Sequence, residues 1–209
     1  MTRQRLATLL LPTMLLALAT SLSGCPAGSG TFVFFQDAAL ESAVRAAAEK
    51  PLGLLTQTDV LAITEVDASG LNIQTLDGIE ALRNLTVLDL RTNNVRSITK
   101  LENLINLRVL DLGDNNVAQI TALSGLFLLE ELTLSGAAMD IVDWSPLSAN
   151  ATNGGLGAGD VVTLPVNTTL DVDGNVLNYW EGDYLTLLNL GVSVIFDEMG
   201  TTNSETATN

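Results

Sequence analysis

Residues 85–106 read LTVLDLRTNNVRSITKLENLIN, and residues 107–128 follow at once with LRVLDLGDNNVAQITALSGLFL. Both lines carry Leu-x-Val-Leu-Asp-Leu and then, after two variable residues, Asn-Asn-Val. The same step of 22 extends outward to ITEVDASGLNIQTLDGIEALRN (residues 63–84) and LEELTLSGAAMDIVDWSPLSAN (residues 129–150). Apolar residues then fall into columns: Ile63, Leu85, Leu107 and Leu129; Val66, Leu88, Leu110 and Leu132; Ala68, Leu90, Leu112 and Leu134; Ile73, Val95, Val117 and Met139. Four columns kept over four lines point to one unit of structure repeated.

The pattern within each line says what that unit is. Leu88 and Leu90 are two apart, so on a strand they point to the same side. A 22-residue coil cannot shelter those leucines by itself and must stack on its neighbours. Asn93 and Asn115 fall where the chain leaves the strand and are expected to form a ladder satisfying buried backbone groups. In the outer lines that position holds Leu71 and Ala137. Ile98, Leu101 and Leu104 suit a 3₁₀-like return on the convex side. This is the signature L-x-x-L-x-L-x-x-N-x-L of a leucine-rich repeat. The expected fold is an α/β solenoid: a right-handed coil with a parallel concave sheet, a helical N-terminal cap and a C-terminal cap.

Over residues 35–147 the repeats, the helical stretch before them and the wording GIEALRNLTVLDL resemble the internalin-type bacterial leucine-rich-repeat family. The resemblance extends to residues 153–164, where Val162, Leu164 and then Asn167 imitate one more repeat core, and to a closing strand at Gly191-Val192-Ser193-Val194. The chain departs from the family around residues 140–144, where two residues look inserted, and at residues 170–184, a longer and more polar stretch. The expected divisions are a leader (1–24), a tether (25–31), a helical cap (32–62), four repeats (63–150), a C-terminal cap with a partial repeat (151–197) and a disordered tail (198–209). In the helical cap, Asp37 is placed as N-cap, with Leu40, Val44 and Ala47 at helical spacing and Pro51 and Gly53 ending the helix. A second short turn is expected after Thr58 and Asp59.

The leader has Arg3 and Arg5 ahead of an apolar run at residues 6–19, too short for an ordinary membrane span. It ends in Leu22-Ser23-Gly24-Cys25, which resembles the lipobox cut by the bacterial lipoprotein signal peptidase. The resemblance implies that Cys25 becomes the first mature residue, carrying a diacylglycerol on sulfur and an acyl group on its amine. Three acyl chains anchor durably where one is marginal, because each buried CH₂ contributes about 0.8 kcal/mol. The alternative is a plain secretory leader with an incidental cysteine. Cys25 is the chain's only cysteine, so no intramolecular disulfide can form.

Charge narrows the partners. The net charge is −15 over 209 residues, and no basic side chain follows Arg108. Such a surface repels phosphate backbones and argues against nucleic acid. There is no histidine, which removes the commonest general base and the commonest metal ligand.

If Leu88 and Leu90 point inward, the intervening columns face out from the concave side: Glu65, Val87, Val109 and Glu131; Asp67, Asp89, Asp111 and Thr133; Ser69, Arg91, Gly113 and Ser135. Stacked carboxylates about 4.8 Å apart repel one another by about 1 kcal/mol per pair in high dielectric. A cation or a basic partner would relieve that repulsion, or Arg91 already does. Asp89 and Asp111 are near the carboxylate spacing of retaining glycosidases, but stacked strands impose that spacing on any pair. No nucleophile–base set stands out, so the expectation is a binding protein and not an enzyme.

Asp171-Val172-Asp173-Gly174-Asn175 hints at a calcium loop, yet its glycine is at the fourth place and no glutamate closes it, so a polar turn is the better account. Gly155-Leu156-Gly157-Ala158-Gly159 precedes a strand, and no lysine follows it, which marks turn chemistry and not a phosphate loop. Trp144, Tyr179 and Trp180 are expected to seal the end of the core; exposed, Tyr179 and Trp180 would offer an anchor for sugar or protein. The expected protein is a monomer without cofactor or bound metal, tethered to a membrane and taking a protein partner on its concave face. The competing expectation is an envelope-associated lipoprotein that contacts peptidoglycan or glycan.

Overall fold

The computed structural model describes residues 31–136, 141–165 and 181–197. Its centre is a parallel sheet of six strands in chain order: β1 (Glu65–Asp67), β2 (Val87–Asp89), β3 (Val109–Asp111), β4 (Glu131–Thr133), β5 (Val161–Pro165) and β6 (Ser193–Asp197). The first four pair in the 22-residue register of the sequence, with Val66 beside Leu88, Leu88 beside Leu110 and Leu110 beside Leu132. Every column-forming leucine of the two middle coils is fully buried. The solenoid is therefore an aliphatic core in layers, each closed by the next coil.

The return path keeps the same logic. Short 3₁₀ turns at Ile79–Ala81, Thr99–Leu101 and Thr121–Gly125 bury Ile79, Leu101 and Leu123 on the convex side. Before each following strand, a second asparagine row ties neighbouring coils together. Asn84 Nδ2 donates to the Leu61 carbonyl and Asn106 Nδ2 to the Arg83 carbonyl, both at 2.8 Å. Leu128 holds the next place and interrupts the row, which Asn150 resumes one step later.

The N-terminal end is closed by helix α1 (Ala38–Ala47). Asp37 caps it, its Oδ1 accepting from the backbone N–H of Ala39 and Leu40 while Oδ2 accepts from Gln74 in the first repeat. One carboxylate thus fixes the helix start and its seat on the solenoid. Ala47 is exposed; Leu40, Ala43 and Val44 face the core instead. Helix α2 (Gln57–Leu61) begins earlier than the sequence suggested. Thr56 makes the reciprocal capping box with Asp59, which satisfies two backbone donors at once and so wins over a start at Thr58. Lys50 Nζ reaches Asp59 at 2.6 Å, and the Lys50 hydrogen bond leads the causes that pull the Asp59 carboxyl down to about 2.

At the other end the sheet runs on through the C-terminal cap. Helix α3 (Ser145–Thr152) starts with Pro146 in its first turn, follows the buried Trp144, and packs against the Thr121–Gly125 turn. Val162 and Leu164 enter the core in the next layer, so β5 continues the repeat without its consensus. Helix α4 (Glu181–Asn189) packs on α3, and Tyr184 meets Phe196 of β6 with ring centroids 5.9 Å apart. No described helix is long and apolar enough to cross a membrane.

Candidate functional site

The concave face is the outward side of the sheet. Its first column has Glu65 exposed, Val87 and Val109 half-buried, Glu131 exposed and Val161 half-buried. In the second, Asp67 is exposed, and Asp89, Asp111 and Thr133 are half-buried, followed by Thr163 and Ile195. The third holds Ser69, the exposed Arg91, the buried Gly113 and Ser135. Register sets Asp67 beside Asp89 and Asp89 beside Asp111.

Each aspartate also has a local task. Asp67 Oδ1 accepts from the Ser69 hydroxyl and backbone N–H, Asp89 Oδ1 from the Arg91 N–H at 2.8 Å, and Asp111 Oδ1 from the Gly113 N–H at 2.8 Å. The three carboxylates cap the strand exit, one coil after another. Among the described residues the Oδ2 of each accepts no hydrogen bond.

Their electrostatics differ. Asp67 is held below the ordinary carboxylate range, first by the Ser69 hydroxyl. Asp111 is pushed up, first by burial and further by the neighbouring charges of Asp89 and Asp114, against the pull of the Gly113 N–H and Arg91. The Arg91 stem lies over Gly113: a Cβ built there would sit 3.5 Å from Arg91 Cγ and 3.0 Å from both Asp111 Oδ1 and Ser135 Oγ. Among the described residues Arg91 makes no ion pair within 4.0 Å, so its field moderates the row without closing any contact. A cationic group docking here would meet carboxylates already charged against one another.

Behind this face the asparagine row holds the strand exits in place. Asn93 Oδ1 accepts from the N–H of Leu71 and Ile73, while Nδ2 donates to the carbonyls of Ala68, Leu90 and Arg91. Asn115 repeats this one coil on, accepting from Val95 and donating to Leu90, Leu112 and Gly113. Just before each asparagine place the chain turns with positive φ, at Gly70 (67°), Thr92 (58°), Asp114 (53°) and Gly136 (114°). A third buried asparagine, Asn150 in α3, takes the place one step after Leu128 in the column of Asn84 and Asn106. Its Nδ2 donates to the Leu123 and Leu126 carbonyls and its Oδ1 accepts from Leu156 N–H, pinning the C-terminal cap to the third coil. Gly155 is required beside it, because a Cβ there would lie 2.1 Å from Asn150 Oδ1. That explains the first glycine of the Gly155–Gly159 turn. Cys25, Ala137, Asn167, the stretch Asp171 to Asn175, Tyr179 and Trp180 lie outside the described residues.

A family model described as leucine-rich repeats (2 copies) matches residues 83–126. Among solved structures, internalin C2 of Listeria monocytogenes is similar at 28% identity and a TM-score of 0.60, over 78% of this chain and 66% of that one. The chain is a leucine-rich-repeat protein of internalin-like fold. A second Listeria monocytogenes internalin, inlF, shares the fold at 24% identity and a TM-score of 0.50, over 82% of this chain and 59% of that one. The internalin-like solenoid described above thus spans less than two thirds of either neighbour. No curated protein matches the sequence.

Proposed function

We propose that this chain is an exported leucine-rich-repeat binding module, held to a membrane by lipid on Cys25, that takes a protein partner on its concave sheet. The observation that carries the reading is the row Asp67, Asp89 and Asp111 beside Val87 and Val109, with Arg91 as the one basic side chain among these concave columns. A partner presenting lysine or arginine next to small apolar groups matches that face in charge and in depth. Asp111, the last carboxylate of the row, is pushed up first by burial, so a partner cation there would favour its charged form. No concave-facing position among the described strands holds an aromatic ring. A glycan platform generally needs rings for stacking, so protein is favoured over peptidoglycan. Lipidation rests on the leader and its Leu22-Ser23-Gly24-Cys25 sequence. It would keep the module at the envelope while the sheet stays open to solvent.

The test compares affinity captures by the wild type, by Asp89→Lys/Asp111→Lys, and by Cys25→Ala. The charge-reversed chain should melt somewhat lower, having lost two strand-exit hydrogen bonds, yet stay folded and lose the partners that the wild type holds. The cysteine variant should lack the acyl mass that the wild type carries on its N-terminal peptide, yet keep those partners. An identical captured set from the charge-reversed chain would remove the case for the concave face. A wild-type N-terminal peptide without lipid on Cys25 would remove the case for the anchor.

A further inference from the structure

The N-terminal cap carries a feature that the concave face does not use. Residues 31–33 run antiparallel to residues 55–57, with Phe32 bridged to Thr56, Val33 N–H donating to Leu55 and Gln57 N–H to Thr31. Alternation sends Phe35 and Leu55 into the core and leaves Phe32 and Phe34 on the opposite side, with Leu52 and Leu54 on the facing segment. Their exposures are 45% for Phe32, 73% for Phe34, 82% for Leu52 and 55% for Leu54. Two of the chain's five phenylalanines are thus spent on water at one rim. Single exposed apolar side chains are ordinary, but four large ones gathered at one end form a patch that calls for a partner.

We infer that this rim, Phe32, Phe34, Leu52 and Leu54, rests in the headgroup region of the lipid bilayer to which Cys25 is anchored, so that the solenoid stands on its N-terminal cap. The inference rests on the anchor reading above. Chain length supports it: Phe32 follows Cys25 by seven residues, which span at most about 25 Å fully extended. A lipid on Cys25 therefore confines the rim to the neighbourhood of the interface whatever path the tether takes. Charge supports the orientation. The cap's two cations are paired, Arg45 with Glu41 and Lys50 with Asp59, and Asp37 and Glu49 leave residues 32–62 at a net charge of −2, against −14 over residues 109–209. Residues 109–209 carry acidic side chains and no basic one, so an anionic lipid surface repels that far end. Phenylalanine and leucine at the near end and carboxylates at the far end set one direction.

The experiment uses the full chain, processed in a bacterial host and reconstituted in phosphatidylethanolamine–phosphatidylglycerol vesicles with brominated acyl chains. Tryptophan is placed in turn at the rim, as Phe34→Trp and Leu54→Trp, and on the return side of the repeats as Ile105→Trp, a position also exposed, at 58%. The unsubstituted chain supplies the background from Trp144 and Trp180. Bromine should quench the rim tryptophans several-fold more than the one at 105. Equal quenching at all three positions overturns the inference while leaving the anchor intact. A concentration-dependent shift of the rim tryptophans without bromine quenching also overturns it, since the rim would then cover a second copy of the chain. The mass of the N-terminal peptide separates the two readings: a Cys25 without lipid refutes the anchor, and this inference falls with it.

Discussion

Between residues 85 and 128 one problem is solved twice in the same way, and past residue 141 it is solved once in a different way. In the middle coils a carboxamide at the strand exit, Asn93 and then Asn115, takes up backbone groups of its own coil and the preceding one. In the C-terminal cap the carboxamide comes from helix α3, and Asn150 reaches across to carbonyls of the Thr121–Gly125 turn and its end. The need is identical, since a buried backbone group without a partner costs about 1–3 kcal/mol. Repetition lets one residue type serve every coil; an end must find its own arrangement. The N-terminal cap shows a third way, relying on the carboxylates of Asp37 and Asp59.

Breaking the two carboxamide arrangements separately would show whether repeats and cap share stability. Asn115→Leu strands Leu112 O and Val95 N–H in the middle of the stack, and should lower unfolding free energy by about 3–4 kcal/mol, read by chemical denaturation. Asn150→Leu sits nearer an end, where the cap can detach on its own. A loss of about 2 kcal/mol with a separate early transition is expected, and a single transition as deep as that of Asn115→Leu would mean the cap is no weaker than the coils. A smaller effect, of opposite sign, should come from the strand exit. Thr92 is the β-branched member of the positive-φ column, and its place suits glycine, asparagine or aspartate. Thr92→Asn should raise stability by about 0.5–1 kcal/mol, and no gain would mean the repeat imposes that turn at no cost. The smallest effect concerns the acidic cap. The Asp59 carboxyl, at about 2 in the fold, lies below its unfolded value of about 3.9. Its contribution is complete above about pH 4 and fades as the pH falls towards about 2. Asp59→Asn should therefore flatten the acid limb of a melting-temperature profile over that window and leave the neutral plateau only slightly lower.

What the sequence displayed and what it hid divide along the same line. The strand register of the first four coils is legible because Leu88, Leu110 and Leu132 must share a layer, and a shift of one residue would expose them all. The inward places of Val162 and Leu164 are legible for the same reason, although the spacing has lengthened. Asn150 is only half legible: it stands in the 22-residue column of Asn84 and Asn106, but Leu128 interrupts that column, and its burial in a helix against the carbonyls of Leu123 and Leu126 belongs to the fold. The row of Asn84 and Asn106 escapes notice: on an exposed edge, polar residues at a 22-residue step look like ordinary surface. The aspartates of the concave face show the limit on the functional side. Their column is plain in the sequence, but the turn each one caps, and the burial that sets Asp111 apart, belong to the folded backbone and to the arginine stem crossing Gly113.

The in-register stacking has a consequence for how such a molecule can change. Because each middle coil hands the next the same layer and the same carboxamide contacts, the chain behaves as a ruler with one graduation per turn. Losing or duplicating 22 residues would shorten or lengthen the concave surface by one strand spacing, about 4.8 Å, while both closures stay in place. The extent of the concave sheet can thus change only in discrete steps.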